Sequence, residues 1–262
     1  MGDHDELLDL ALAVAREAGA LVTAMRADGV DVADTKSSPI DVVTAADRAC
    51  EELVRRRLLA ARPDDAVHGE EGDDHPGTSG VRWIVDPIDG TVNYLYGLPH
   101  WSVSIAAARD DEVVAGVVLA PALGEEYAAT RGGGATLGGR PIGVRPSPPQ
   151  AESLVATGFG YRADMRTRQG QAVARLLPQV RDVRRLGSCA LDLCALAAGR
   201  LDGYVEEGPH LWDHAAGGLV AAEAGATVEV WTTTFGSEVV CAAPDAAWED
   251  FSRLVRDCGF VG

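Results

Sequence analysis

The chain is 262 residues long, and its 23 Lys and Arg against 40 Asp and Glu give a formal charge of −17. Hydrophobic residues at 47% and charged residues at 24% are ordinary globular proportions, which exclude a disordered tail, a collagen-like repeat and a small disulfide scaffold. So acidic a chain, lacking a basic stripe, repels nucleic acid and anionic lipid, and an anionic metabolite has to be held through a metal ion or backbone amides.

No apolar run reaches the roughly 18–20 residues that a membrane-spanning helix needs. The opening Met1–Glu6 is acidic where a signal peptide is basic. The five cysteines are odd in number and include no Cys-x-x-Cys pair, which fits reduced thiols in a cytoplasm.

In chain order, Leu7, Leu8, Leu12, Ala15, Ala18, Leu21, Val22 and Met25 recur at helical spacing, so Asp5–Arg26 reads as a helix ended by Asp28-Gly29. Val30–Pro39 reads as a loop or short hairpin. Thr44 reads as the N-cap of a second helix running to about Arg62-Pro63. Short Val-, Ile- and Ala-rich runs bounded by Gly, Pro or Asp then predict strands at Ala66–Glu70, Val81–Val85, Ser102–Ala108, Glu112–Leu119, Glu125–Thr130 and Ala135–Val144. Pro146-Ser147-Pro148-Pro149 marks a subdomain boundary. It separates an α+β subdomain, 1–146, from an α/β subdomain, 147–262, the two fused in one globular unit.

Beyond it, the pattern predicts strands at Ser153–Thr157, Asp182–Leu186, Gly203–Glu206, Thr227–Trp231 and Val239–Ala242. Helices are expected at Met165–Leu177, Ala190–Ala198, Trp212–Ala224 and near Ala246–Cys258. Helical layers against sheets in both halves imply a layered α/β architecture.

Four acidic positions stand where elements begin or end. Asp47 lies in the first turn of the second helix. Glu70-Glu71-Gly72 follows the strand through His68, Asp86 and Asp89 follow the apolar run Trp83-Ile84-Val85, and Asp213 opens an Ala- and Gly-rich helix. Taken singly, Glu70-Glu71 reads as a solvated loop, Asp47 and Asp213 as helix-start charges, and Lys36 as a surface lysine. Asp86 and Asp89 are different, because Pro87 and Gly90 impose a tight turn that brings them together. At about 4 Å and an effective dielectric near 20, their charges repel by roughly 4 kcal/mol, a cost that a cation removes. All-oxygen ligands point to a hard ion, Mg²⁺ or Mn²⁺. The Gly90-Thr91 amides then open a helix, where a phosphate docks. His68, His100, His210 and His214 share no metal-ligand spacing and read as packing groups, and the five Trp as core or interface anchors.

Together these segments resemble the inositol monophosphatase family of Mg²⁺-dependent, lithium-sensitive phosphatases. The resemblance rests on Asp41–Asp47, Gly69-Glu70-Glu71, Trp83–Asn93, Leu186-Gly187-Ser188 with Asp192, and Trp212-Asp213 before Ala224-Gly225-Ala226. It implies the α/β/α/β/α sandwich also found in fructose-1,6-bisphosphatase, and a homodimer in the cytoplasm. It implies one metal held by Glu70, Asp86 and the Ile88 carbonyl, a second by Asp86, Asp89 and Asp213, and a weaker third near Glu70, Glu71 and the Lys36 loop. Thr91, Asp47 and Glu70 are the catalytic residues so implied. Asp89, Gly90, Thr91, Gly187, Ser188, Cys189, Glu206 and Asp213 are the implied substrate contacts.

The implied reaction is hydrolysis of a phosphomonoester, inositol-1-phosphate first, by in-line attack of a water activated by two metal ions. Histidinol-phosphate and fructose-1,6-bisphosphate phosphatases share the chemistry, and a non-catalytic protein-binding factor with the same fold is the alternative of another class. Cys189 departs from the alanine common in the family, and Trp231–Gly236 is shorter than the usual segment.

Overall fold

The computed structural model describes residues 2–27, 32–35 and 42–261. In the first half, α1 spans Asp3–Ala27, and the strands β1 (Val32–Thr35) and β2 (Val42–Thr44) pair antiparallel ahead of α2 (Ala45–Ala61). Thr44 caps α2 as expected: its hydroxyl accepts the Ala46 and Asp47 N–H groups, and Asp47 accepts the Thr44 N–H in return. Then come β3 (Ala66–Gly69), β4 (Val81–Asp89), α3 (Thr91–Tyr96), β5 (Ser102–Arg109), β6 (Glu112–Ala120), β7 (Glu125–Thr130), β8 (Gly134–Leu137) and β9 (Arg140–Pro141). The strands β3 to β9 form one sheet in sequence order, parallel only between β3 and β4.

The second half contributes β10 (Leu154–Thr157), α4 (Ala163–Leu176), β11 (Asp182–Arg184), α5 (Cys189–Ala197), β12 (Gly203–Glu207), α6 (Leu211–Glu223), β13 (Ala226–Thr232), β14 (Glu238–Pro244) and α7 (Trp248–Asp257). Its five strands order as β11-β10-β12-β14-β13.

Three apolar clusters separate the layers. Leu7, Val14 and Val22 of α1 and Val54 and Leu58 of α2 meet Val103, Ile105 and Val117 on one face of the first sheet. Ala106 and Val118, the alternate residues of the same strands, face α5 and α6, whose Leu193, Leu196, Leu219 and Val220 also meet Tyr204, Val240 and Ala242 of the second sheet. Val205, Val239 and Cys241 point the other way, onto Leu176 of α4 and Phe251 and Val255 of α7. The order is therefore α/β/α/β/α, as expected, and residues from both sides of Pro146 share the middle cluster. Because both sheets are covered on both faces, the central strands β4, β5, β6 and β14 are buried along nearly their whole length, with little polar alternation.

Two expectations need correction. The run Ala135–Val144 is a hairpin of β8 and β9, because Gly138 and Gly139 both take positive φ, 57° and 73°, in a two-residue turn with Leu137 paired to Arg140. The expected strand Asp182–Leu186 stops at Arg184, ahead of Gly187 at φ 94°. Among the described residues no helix is long and apolar enough to cross a membrane.

Candidate active site

The site begins with a register error built into β4. The sequence suggests that the strand ends at Val85 and turns, but it runs on to Asp89 through a bulge. Asp86 lies opposite Ser104 and Asp89 opposite Ser102, so three steps on β4 match two on β5. In a regular strand, residues three apart point to opposite faces. One extra residue resets the alternation and turns both carboxylates to the same side. Pro87 tolerates the break because it has no N–H to give the ladder, and Asp86 Oδ1 accepts the Ile88 N–H at 3.0 Å. Parallel pairing aligns Gly69 of β3 with Val85 of β4, so the next residues, Glu70 and Asp86, emerge side by side.

The middle helices complete the cluster. Asp89 Oδ2 accepts the Ser188 hydroxyl at 2.5 Å and the Ala190 N–H at 2.8 Å, joining the bulge to the first turn of α5. Asp213, at the N3 position of α6, accepts the His210 N–H at 2.5 Å. Asp86, Asp89 and Asp213 each offer an oxygen within 4.8 Å of the others.

Burial is the largest cause raising the pKa of all three, and neighbouring negative charge adds to it, from Glu206 in the case of Asp89. Glu70 and the other two carboxylates push Asp86 well above the usual range, and Asp89 and Glu70 do the same to Asp213. Asp89 rises to about 7, with the Ser188 and Ala190 hydrogen bonds opposing its burial. Carboxylates crowded this closely, with burial and neighbouring negative charge both opposing their ionised forms, are suited to a divalent ion that offsets the charge.

A raised folded-state pKa favours the fold only while the group is protonated. For Asp89 this contribution is complete below about pH 4 and is lost as pH rises through about 7. Thermal melts in EDTA are therefore expected to fall between pH 5 and pH 8, and added Mg²⁺ is expected to raise the melting point more at pH 8 than at pH 5. A Mg²⁺ shift largest at pH 5 contradicts this placement of the charges.

Asp47 and Thr91 form a second unit beside the cluster. Asp47 Oδ2 accepts the Thr44 N–H and hydroxyl at 2.8 and 2.5 Å, while Oδ1 faces Thr91 Oγ1 at 3.3 Å. The helix-start role is therefore real and is made through Oδ2. Thr91 Oγ1 also lies 3.0 Å from the Ile88 carbonyl, so one hydroxyl proton has two acceptors.

The expected substrate-side residues gather across the bulge. Gly90, at φ 94°, leaves room for the backbone of the α5 approach, since a Cβ there would lie 2.8 Å from the His100 carbonyl and 3.1 Å from that of Gly187. Cys189 is buried in the first turn of α5. Glu206 of β12 accepts the Tyr204 hydroxyl at 2.9 Å and acts electrostatically on Asp89, Cys189 and Asp192. Glu71 is half-buried beside Glu70, and Lys36 lies outside the described residues. His68 and His210 flank Trp212, with ring centroids 5.2 and 4.9 Å away, as packing groups.

Two contributors have no role assigned by the sequence reading. Asn93 donates to the His100 and Leu186 carbonyls at 2.6 and 2.8 Å, pinning α3 to the loop before α5. Glu51, one turn beyond Asp47 on α2, is 3% exposed and accepts the Glu71 and Gly72 N–H groups. The only signal for Glu51 was its i,i+4 spacing from Asp47, which looks like any solvated helix face.

Known proteins carry the same plan. The model of the "Inositol monophosphatase family" matches residues 3–258. The inositol-1-monophosphatase SuhB of Mycobacterium tuberculosis is 43% identical over 264 residues, spanning 93% of this chain and 91% of the relative. A Nus factor SuhB from Pasteurella multocida is 38% identical over 224 residues, 85% of this chain and 84% of the relative. Among solved structures, Mycobacterium tuberculosis SuhB superposes with a TM-score of 0.84 at 40% identity, covering 98% of both chains. A Thermotoga maritima IMPase gives 0.85 at 30% identity, covering 97% and 98%. With the layered fold, the bulged strand and a family match from the first helix to the last, this chain belongs to the inositol monophosphatase family.

Proposed function

We propose that this protein is a Mg²⁺-dependent phosphomonoesterase that hydrolyses inositol-1-phosphate to inositol and phosphate. The observation that carries this reading is the packing of Asp86, Asp89 and Asp213 within 4.8 Å, next to Glu70 and to the Thr91–Asp47 pair. Glu70, Asp86 and the Ile88 carbonyl would hold one ion, and Asp86, Asp89 and Asp213 a second. Glu71 and the Lys36 loop would lie near a weaker third. Bound ions supply positive charge that acidifies water and neutralises the phosphoryl and leaving oxygens.

The protein's own groups do the rest. Thr91 Oγ1 accepts a hydrogen bond from the attacking water and passes its own proton toward Asp47 Oδ1. The first N–H groups of α3, which no helix satisfies internally, face the phosphate as Gly90 and Thr91 amides. Ser188, Cys189, Gly187 and Glu206 hold the polyol. The five buried, unpaired cysteines suit a reducing cytoplasm, and the reading includes a homodimer.

A phosphate-release screen of inositol-1-phosphate, histidinol phosphate, fructose-1,6-bisphosphate and adenosine 3′,5′-bisphosphate with Mg²⁺ tests it. Inositol-1-phosphate is expected to give the highest kcat/KM, with inhibition by lithium that substrate does not overcome. Release undiminished in excess EDTA, or none from any of the four with Mg²⁺, overturns the reading. The Nus factor relatives favour a second reading, a protein-binding role on the same fold, and an inactive but well-folded protein would support it.

A further inference from the structure

We infer that Glu51 is a positioning residue for the metal site, acting through the backbone of the Glu70-Glu71-Gly72 turn; this rests on the proposal that Glu70 is a metal ligand. Glu51 stands on α2, whose preceding turn carries Asp47, and its carboxylate is buried under the loop that leaves β3. Oε2 accepts the Glu71 N–H at 2.7 Å, and Oε1 accepts the Gly72 N–H at 2.8 Å and the Arg55 guanidinium at 3.0 Å. Arg55 in turn donates to the Asp73 carbonyl at 2.8 Å, which closes the loop from its far side.

Two glycines bracket the carboxylate. A Cβ on Gly69 would come within 2.5 Å of it, and one on Gly72 within 2.8 Å, so the backbone wraps directly against the Glu51 oxygens. The turn is folded around an anion that belongs to α2. Glu70 lies between those two contact points, so its backbone position is set by Glu51 rather than by strand pairing, which ends at Gly69.

One helix therefore serves two parts of the site, presenting Asp47 to Thr91 and, one turn on, Glu51 to the loop bearing Glu70. A carboxylate is required because two backbone N–H groups and a guanidinium converge on it. Glutamine has a single acceptor oxygen, and its NH₂ would face an N–H donor on one side or the other. A ligand loop released in this way weakens metal binding without removing any ligand, an effect that groups holding a ligand in place typically exert at about 10–100-fold.

The test is calorimetric titration of Mn²⁺ into the metal-free full-length protein without substrate, with melting points recorded alongside. Glu51→Gln is expected to bind Mn²⁺ about 10–100-fold more weakly than wild type, and its activity to recover as Mg²⁺ is raised. Gly72→Ala approaches the same contact from the loop side. It is expected to weaken Mn²⁺ binding in the same direction, and it decides the matter if Glu51→Gln does not fold. Unchanged Mn²⁺ affinity in a folded Glu51→Gln, or in Gly72→Ala where Glu51→Gln is unfolded, assigns Glu51 a purely structural role and overturns the inference. Wild type that binds no Mn²⁺ instead overturns the metal reading itself, so the two failures are told apart.

Discussion

Asp86→Asn is expected to lower phosphate release from inositol-1-phosphate by more than about 10²-fold, beyond what loosening a ligand's support costs. Asp86 is the carboxylate on which Glu70, Asp89 and Asp213 all act, and it alone is proposed to touch both ions. The substitution isolates charge from shape, because Asn keeps an oxygen to accept the Ile88 N–H, as Asp86 Oδ1 does at 3.0 Å. It also removes one of several repelling buried carboxylates, so the melting point in EDTA should stay level or rise while activity collapses. Steady-state kinetics with melts in EDTA and in Mg²⁺ check both halves. Near-normal turnover by the variant is incompatible with Asp86 as a shared ligand.

Thr91→Ala is expected to reduce kcat by about 10²-fold or more with a much smaller change in KM, as for the loss of a proton-transfer group acting in the transition state. Alanine deletes the hydroxyl that faces both Asp47 and the Ile88 carbonyl but keeps the backbone amide and the helical turn. Asp47→Asn should have a similar effect. Its amide oxygen can still accept the Thr44 N–H, so the cap is largely retained, but the NH₂ then turned to Thr91 cannot accept a proton. If the two act as one relay, the double variant is little worse than either single one. Losses in kcat that multiply, or a lowered melting point with normal kcat, leave Asp47 as a helix cap only.

The helices and the α2 cap were legible because their signals are local. Of the residues whose spacing marks the first helix, Leu7, Ala15, Ala18 and Val22 are buried, on one stripe with Ala11 and Val14, and Thr44 and Asp47 lie within one turn of each other. The carboxylate cluster was half legible. Asp86 and Asp89 announce themselves through Pro87 and Gly90, but the bulge that turns them to one side exists only through pairing with Ser104 and Ser102 of β5. The contact of Asp89 with Ser188 crosses 99 residues and comes from packing the middle helices between two sheets. The family resemblance linked those segments where spacing alone does not. Glu51 was illegible because its partners are backbone N–H groups, and the sequence carries no mark of where a loop's amides converge.

Anomalous diffraction from crystals grown with Mn²⁺ tests the carboxylate centre most directly. One Mn²⁺ peak is expected among the Asp86, Asp89 and Asp213 carboxylates, and a second between Glu70, Asp86 and the Ile88 carbonyl. Diffraction at saturating Mn²⁺ with no anomalous peak among Asp86, Asp89 and Asp213, or with the ion held only by other residues, contradicts a metal-dependent phosphatase site here.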